Sequence, residues 1–205
     1  MIRRFLALAA VSSIALSACV TVFPKAEPAT LYQLTVASHP IDRPAGAVPV
    51  GVLRTPTAFP RTSTGDRIVT ATGNETASIA DARWAAPAQI LFDEAMVKAF
   101  DASPRIRLAT RGGPTPSDHT LRVEVRTFEA RYPNADPKAV PTVEIEIKAT
   151  LTNPPAAGGV AEQMFKAEVP ASANRVSAIV DAYNAATEKV LDDLVSWTES
   201  AAAAS

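Results

Sequence analysis

The chain has 205 residues, with 20 Lys+Arg against 21 Asp+Glu and a single cysteine. That balance gives no concentrated basic patch of the kind nucleic acid requires, and no polybasic run for anionic lipid head groups. One cysteine rules out an intramolecular disulfide, and no apolar stretch is long enough to span a bilayer.

In chain order, the first element is an export signal. Arg3 and Arg4 form a short basic start, and residues 5–16 are an apolar run too short for a membrane-spanning helix. Ser17 and Ala18 supply the small residues of a cleavage site, and Cys19 directly after them completes the pattern of a bacterial lipoprotein box. In that pattern residues 1–18 are removed, the Cys19 thiol is acylated, and the new amino terminus is acylated as well. One acyl chain binds a bilayer only marginally, at ~0.8 kcal/mol per buried methylene, and two make the anchor stable. The remaining 187 residues carry 18 Lys+Arg and 21 Asp+Glu, enough chain for one domain with a real core.

Residues 19–30, with Pro24 and Pro28, read as a tether without periodicity. Residues 31–36 alternate apolar and polar and form the first strand. His39-Pro40 ends it, residues 50–53 open a second strand, and Pro56 and Pro60 confine the end of that strand to an edge or loop. Residues 55–66 are then long and proline-rich, residues 67–70 a short third strand, and residues 76–79 a candidate fourth. Arg83-Trp84-Ala85-Ala86-Pro87 leads into a helix, with Pro87 at its first position and Leu91, Phe92, Ala95, Met96 and Ala99 on one face. Ser103-Pro104 stops it, residues 105–109 alternate again, and Gly112-Gly113-Pro114 is a break.

The strongest strand signals follow. Leu121, Val123 and Val125 face one way and Arg122, Glu124 and Arg126 the other; Val143, Ile145, Ile147, Ala149 and Leu151 oppose Glu144, Glu146 and Lys148. An antiparallel hairpin with Arg126 across from Glu146 and Glu124 across from Lys148 pairs opposite charges, whereas a two-residue slip sets Glu124 against Glu146. Phe165, Ala167 and Val169 mark another strand. A closing helix, capped by Ser172 or Asn174, carries Val176, Ile179, Tyr183, Ala186, Val190, Leu194 and Trp197 as its apolar stripe. Residues 31–199 form one α+β domain, a mostly antiparallel sheet with two main helices on one face, and residues 200–205 a disordered tail.

No residue set asks to be catalytic. The two histidines, His39 and His119, sit at strand ends and read as surface or turn residues, and Ser117, Asp118 and His119 in a row cannot converge as a triad. Two separated histidines and an acylated thiol make no metal site, and no cofactor motif is present. A small hydrolase would need a converging base, nucleophile and oxyanion site, which the sequence does not nominate. Trp84 either seals the seam between helix and sheet or, with Arg83, belongs to a partner-facing surface, since Trp and Arg are favoured interface anchors.

The lipoprotein box, the Leu31-Tyr32-Gln33-Leu34 strand, Arg83 to Pro87 running into an amphipathic helix, and a closing helix ending near Trp197 resemble the ABC-type transport auxiliary lipoproteins. These accompany mammalian-cell-entry (MCE) lipid transport systems and include the paraquat-inducible C type. The resemblance covers about residues 30–198, and Arg83-Trp84 with Pro87 is its most specific piece. It implies a non-enzymatic periplasmic protein that works with an MCE substrate-binding protein and, through it, an ABC permease and its ATPase. Self-association stays open. Val20 after the anchor, rather than Asp, implies sorting to the outer membrane by the pattern of related lipoproteins. A pilotin-like assembly module that binds an outer-membrane protein would share the same features.

Overall fold

The computed structural model describes residues 28–37, 49–153 and 159–203. The export segment, Cys19, most of the tether, His39 and the loop at 154–158 lie outside the described residues.

Alternation builds the centre of the molecule. β6 (His119–Tyr132) and β7 (Thr142–Thr152) pair antiparallel, and β8 (Val160–Pro170) pairs antiparallel with the other edge of β7. Val143, Ile145, Ile147, Ala149 and Leu151 are fully buried, while the side chains between them lie on the opposite, half-exposed face. The predicted register holds for Glu124 and Lys148. It then shifts: a β-bulge at Arg126 puts Thr127, not Arg126, across from Glu146. The bulge has a cause in the sequence. Leu121, Val123 and Val125 point inward at odd positions, but the next apolar side chains, Phe128 and Ala130, are even, and one extra residue is what turns them inward.

The far edge of β6 is shared by two strands in tandem. β2 (Val50–Arg54) runs parallel to its first residues, and β3 (Arg67–Thr72) runs parallel to its last. Between them the Ala58 N–H donates to the Val123 carbonyl at 3.1 Å, and the Val125 N–H donates back to the Ala58 carbonyl at 2.9 Å. The proline-rich stretch at 55–66 is therefore an interrupted strand rather than a plain loop. β2 accepts a close overlay by the segment around Pro116: a Cβ on Gly51 would lie 1.8 Å from the Pro116 carbonyl oxygen, so only glycine fits.

β3 turns through Gly73 and Asn74 into β4 (Glu75–Trp84), and Gly73 has the positive φ of +60° that two-residue hairpin loops demand. β4 is much longer than the 76–79 strand expected, because most of it is exposed and carries no alternation. β1 (Thr30–Tyr32) lies parallel to its end, and β5 (Ile106–Ala109) lies parallel to β2.

The expectation of a mostly antiparallel sheet needs correction. β1–β4, β2–β5, β2–β6 and β3–β6 are parallel pairs, so the eight-stranded sheet is mixed. Periodicity reports which face of a strand is buried and says nothing about its direction. Direction comes from the connections, and α1 (Ala88–Asp101) lies on the long crossover between β2 and β5 that a parallel pair requires.

Both helices cover one face of the sheet. α1 buries Ala88, Leu91, Phe92, Ala95, Met96 and Phe100, and Pro87 is its cap rather than its first residue. α2 (Val176–Ala203) buries Ile179, Tyr183, Ala186, Val190 and Leu194 as expected, with Ala182, Thr187 and Leu191 widening the stripe. It continues through Ala203 into the segment read as a tail, with Ala202 buried. Asn174 does not cap it. Its side chain accepts from the Tyr132 hydroxyl at 3.0 Å and donates to the Pro137 carbonyl at 3.0 Å, tying the helix start to the β6–β7 turn.

Candidate functional site

Strand alternation at the end of β4 sends Arg83 and Trp84 to opposite faces. Trp84 is 2% exposed. Its ring meets Tyr183 edge-on at 5.2 Å and lies 6.3 Å from Phe128, so it seals the seam between sheet and helices. Phe128 is the hub of the cluster, with Phe59, Phe92 and Tyr183 also around it at 5.3, 6.3 and 5.0 Å. Aromatic contacts in such tilted geometries add ~0.5–1.5 kcal/mol each beyond their buried area. The Tyr183 hydroxyl, fully buried, donates to the Val69 carbonyl at 2.7 Å. Burial is the main reason its ionisation is pushed well above the ordinary tyrosine range, with the nearby Glu129 charge adding to it.

The backbone around Trp84 gathers three segments. The Trp84 N–H donates to the Asp66 carbonyl at 2.7 Å, the Ala85 N–H to Tyr32 at 2.7 Å, and the Ala88 N–H to Gly65 at 2.8 Å. Arg83 reaches the Asp66 carboxylate from outside at 3.2 Å, with both side chains nearly half exposed. The Arg-Trp pair is thus first a joint that locks β1, the 65–66 turn and the start of α1. Only Arg83 of the two presents its side chain to solvent, in a cross-strand row with Leu31 and Arg67.

A second clip holds α1 against the interrupted strand. The Thr57 hydroxyl donates to Asp93 at 2.5 Å, Arg54 Nη1 lies 3.2 Å from the same carboxylate oxygen, and Gln89 donates to the Thr57 carbonyl at 2.8 Å. Arg54 Nη1 is itself buried and makes no hydrogen bond, so the ion pair with Asp93 is its contact in this clip. An open depression of about 440 Å³ adjoins this clip, lined by Arg54, Ile90, Asp93, Glu94, Val97 and Lys98. Thr57 and Asp93 had no sequence signal, since their contact depends on a strand that the prolines concealed.

The uncovered face of β6, β7 and β8 is a lattice of charge. Glu129, Glu144 and Glu168 stand side by side across the three strands, a repulsive row by itself. Arg131 bridges Glu129 and Glu144, and Lys166 lies 2.7 Å from both Glu144 and Glu168. Lys148 holds Glu162 at 2.9 Å. The hydrogen bond from Lys148, aided by Thr150, lowers the Glu162 pKa; that from Lys166 lowers the Glu168 pKa, while Glu144 and then Glu168 raise that of Lys166. The stabilisation from these depressed carboxylates is present above the ordinary carboxylate range and is lost as pH falls from there through their lowered pKa values.

His119 departs from the expected surface role. It is 7% exposed at the start of β6, with Nδ1 3.1 Å from the Asn153 side-chain oxygen, and the Ser117 hydroxyl donates to the His119 carbonyl rather than its ring. Among the described residues no three His, Cys, Asp or Glu side chains could hold a metal ion. No helix among them is long and apolar enough to cross a membrane.

What fold and surface define is a helix-backed mixed-sheet domain with a charged open face. The chain belongs to the ABC-type transport auxiliary lipoprotein component family, whose model matches residues 17–195. It is similar to the crystal structure of protein XCC0632 from Xanthomonas campestris, of family DUF330, at 30% identity and a TM-score of 0.70, over 83% of this chain and 94% of that one. An uncharacterized protein shares the fold at 18% identity and a TM-score of 0.64, over 84% of this chain and 99% of that one. The hypothetical protein CT253 from Chlamydia trachomatis is similar at 10% identity and a TM-score of 0.50, covering 74% of this chain and 96% of that one. No curated protein matches the sequence.

Proposed function

We propose that this chain is a lipid-anchored, non-enzymatic component of an MCE-type ABC lipid transport system, acting in the periplasm by binding partner proteins. The observation that carries the reading is the family match, which begins at residue 17 and so takes in Ser17, Ala18 and Cys19 before running through the folded domain. Cys19 is acylated, and Val20 after it directs the protein to the inner leaflet of the outer membrane. Ten residues separate Cys19 from Thr30, which is eleven Cα–Cα steps. At full extension that length reaches at most about 40 Å, so the domain works close to its own bilayer.

Arg83, exposed at the joint that sets sheet against helix, is the first surface position proposed to meet the MCE substrate-binding protein. Trp84 supports that surface from beneath. The test is recovery of the lipidated protein from detergent-solubilised envelopes, with co-purifying proteins identified by mass spectrometry. An MCE-domain protein recovered with the wild type, and reduced with Arg83→Ala, supports the reading. Recovery of only an outer-membrane secretin or assembly protein overturns it.

A further inference from the structure

Among the described residues the sheet has three free edges, and they differ in how well they are guarded. β5 is four residues long. β4 is covered at its end by β1 and broken by Asp81, whose φ of +53° is left-handed. β8 is different: all eleven residues pair in unbroken register with β7, its only proline is the last residue, and no described strand lies on its outer side. Short length, proline, bulges and charged side chains keep edges from pairing, and of these β8 has, short of its last residue, only its charges, Glu162, Lys166 and Glu168. Its exposed side chains include Val160 and Met164, and on the helix side the half-buried rings of Phe165 and Trp197 meet at 5.9 Å beside the same edge.

We infer that β8 is a self-association edge, pairing antiparallel with β8 of a second copy about a two-fold axis at Met164. The charge pattern selects this register. With Met164 opposite itself, Glu162 lies opposite Lys166 of the second copy, twice by symmetry, and Ala161 lies opposite Ala167. Centring on Phe165 sets Glu162 against Glu168, and centring on Lys166 sets that lysine against itself. Helix spacing agrees. α2 packs over both β7 and β8, so with strands ~4.8 Å apart the two α2 axes would lie about 10 Å from each other, the ordinary distance of packed helices. The result is one sixteen-stranded sheet with all helices on one side.

The test places one cysteine on the edge of the full-length lipoprotein in isolated membranes and treats it with a short bis-maleimide. Met164→Cys is expected to give a species of twice the monomer mass, and Val160→Cys none of it, because the two copies of residue 160 would lie about 27 Å apart along the strands. Adding Lys166→Glu to Met164→Cys sets two like-charge pairs across the axis and is expected to cut the dimer about tenfold. Adding Glu162→Lys as well restores opposite charges between copies, though not within one, and is expected to recover it. Circular dichroism of each variant reports folding separately. A Met164→Cys protein that stays monomeric, cross-links only to another protein, or ignores both charge changes overturns the inference. The geometry uses the lipid anchor only to hold copies in one membrane. The wild type serves as its control: maleimide uptake there would report a free Cys19 and fault the lipidation reading instead.

Discussion

Phe128 is the centre of the aromatic cluster in the core. Four rings surround it, and it is 2% exposed. Phe128→Ala would open a cavity that those rings cannot fill, and is expected to cost about 3–5 kcal/mol in urea unfolding. Arg83→Ala removes one half-exposed ion pair and is expected to cost no more than about 1 kcal/mol in the same measurement. That contrast makes Arg83 a clean position for binding experiments, since its loss leaves the backbone bonds of the joint in place. Tyr183 gives a pH signature. Its ionisation is raised in the folded protein, so above pH ~10 the unfolded chain loses a proton that the folded one keeps, and stability falls as pH rises. Tyr183→Phe removes that contribution. The alkaline fall in unfolding free energy is expected to be shallower in this variant by up to about 1.4 kcal/mol per pH unit. Equal slopes would mean that the phenol is not buried as described.

β6 shows what could be read from sequence at the level of elements and what could not. Its alternation, the pairing of Glu124 with Lys148 and the inward face of β7 were all legible, because period-two burial is local. The bulge was written in the same stretch, as a switch of apolar residues from odd to even positions, and it is the reason Arg126 missed Glu146. The parallel placement of β2 and β3 was not legible. It depends on contacts between residues about 60 apart, and the prolines at 56 and 60 masked the strand that joins them. The bulge can be tested by deletion. Removing Arg126 would turn Phe128 and Ala130 toward solvent or force Leu121, Val123 and Val125 out, so the variant is expected to lose near-ultraviolet circular dichroism and cooperative melting. Arg126→Ala keeps the residue count and is expected to stay within about 1 kcal/mol of the wild type.

For the whole molecule, anchor and body are separable in physical terms. Among the described residues the core is closed by contacts from Tyr32 onward, and Cys19 precedes the first strand by eleven residues. In the proposed function the lipid supplies position, and the domain supplies the surface. The Arg83-Trp84 pair was legible as important because of its place before a helix, yet only three-dimensional structure separates the sealing indole from the exposed guanidinium. Cys19→Ala is therefore expected to leave the urea midpoint of the domain unchanged to within about 0.5 kcal/mol. Its location should change instead. Without acyl chains the membrane loses its stable hold, and the variant is expected in the soluble fraction while the wild type stays with membranes. An unchanged midpoint with continued membrane retention would point to a second attachment on the folded body. The Leu31–Arg83–Arg67 row would be the first place to look, since it lies on β1, β4 and β3 close to where the tether joins.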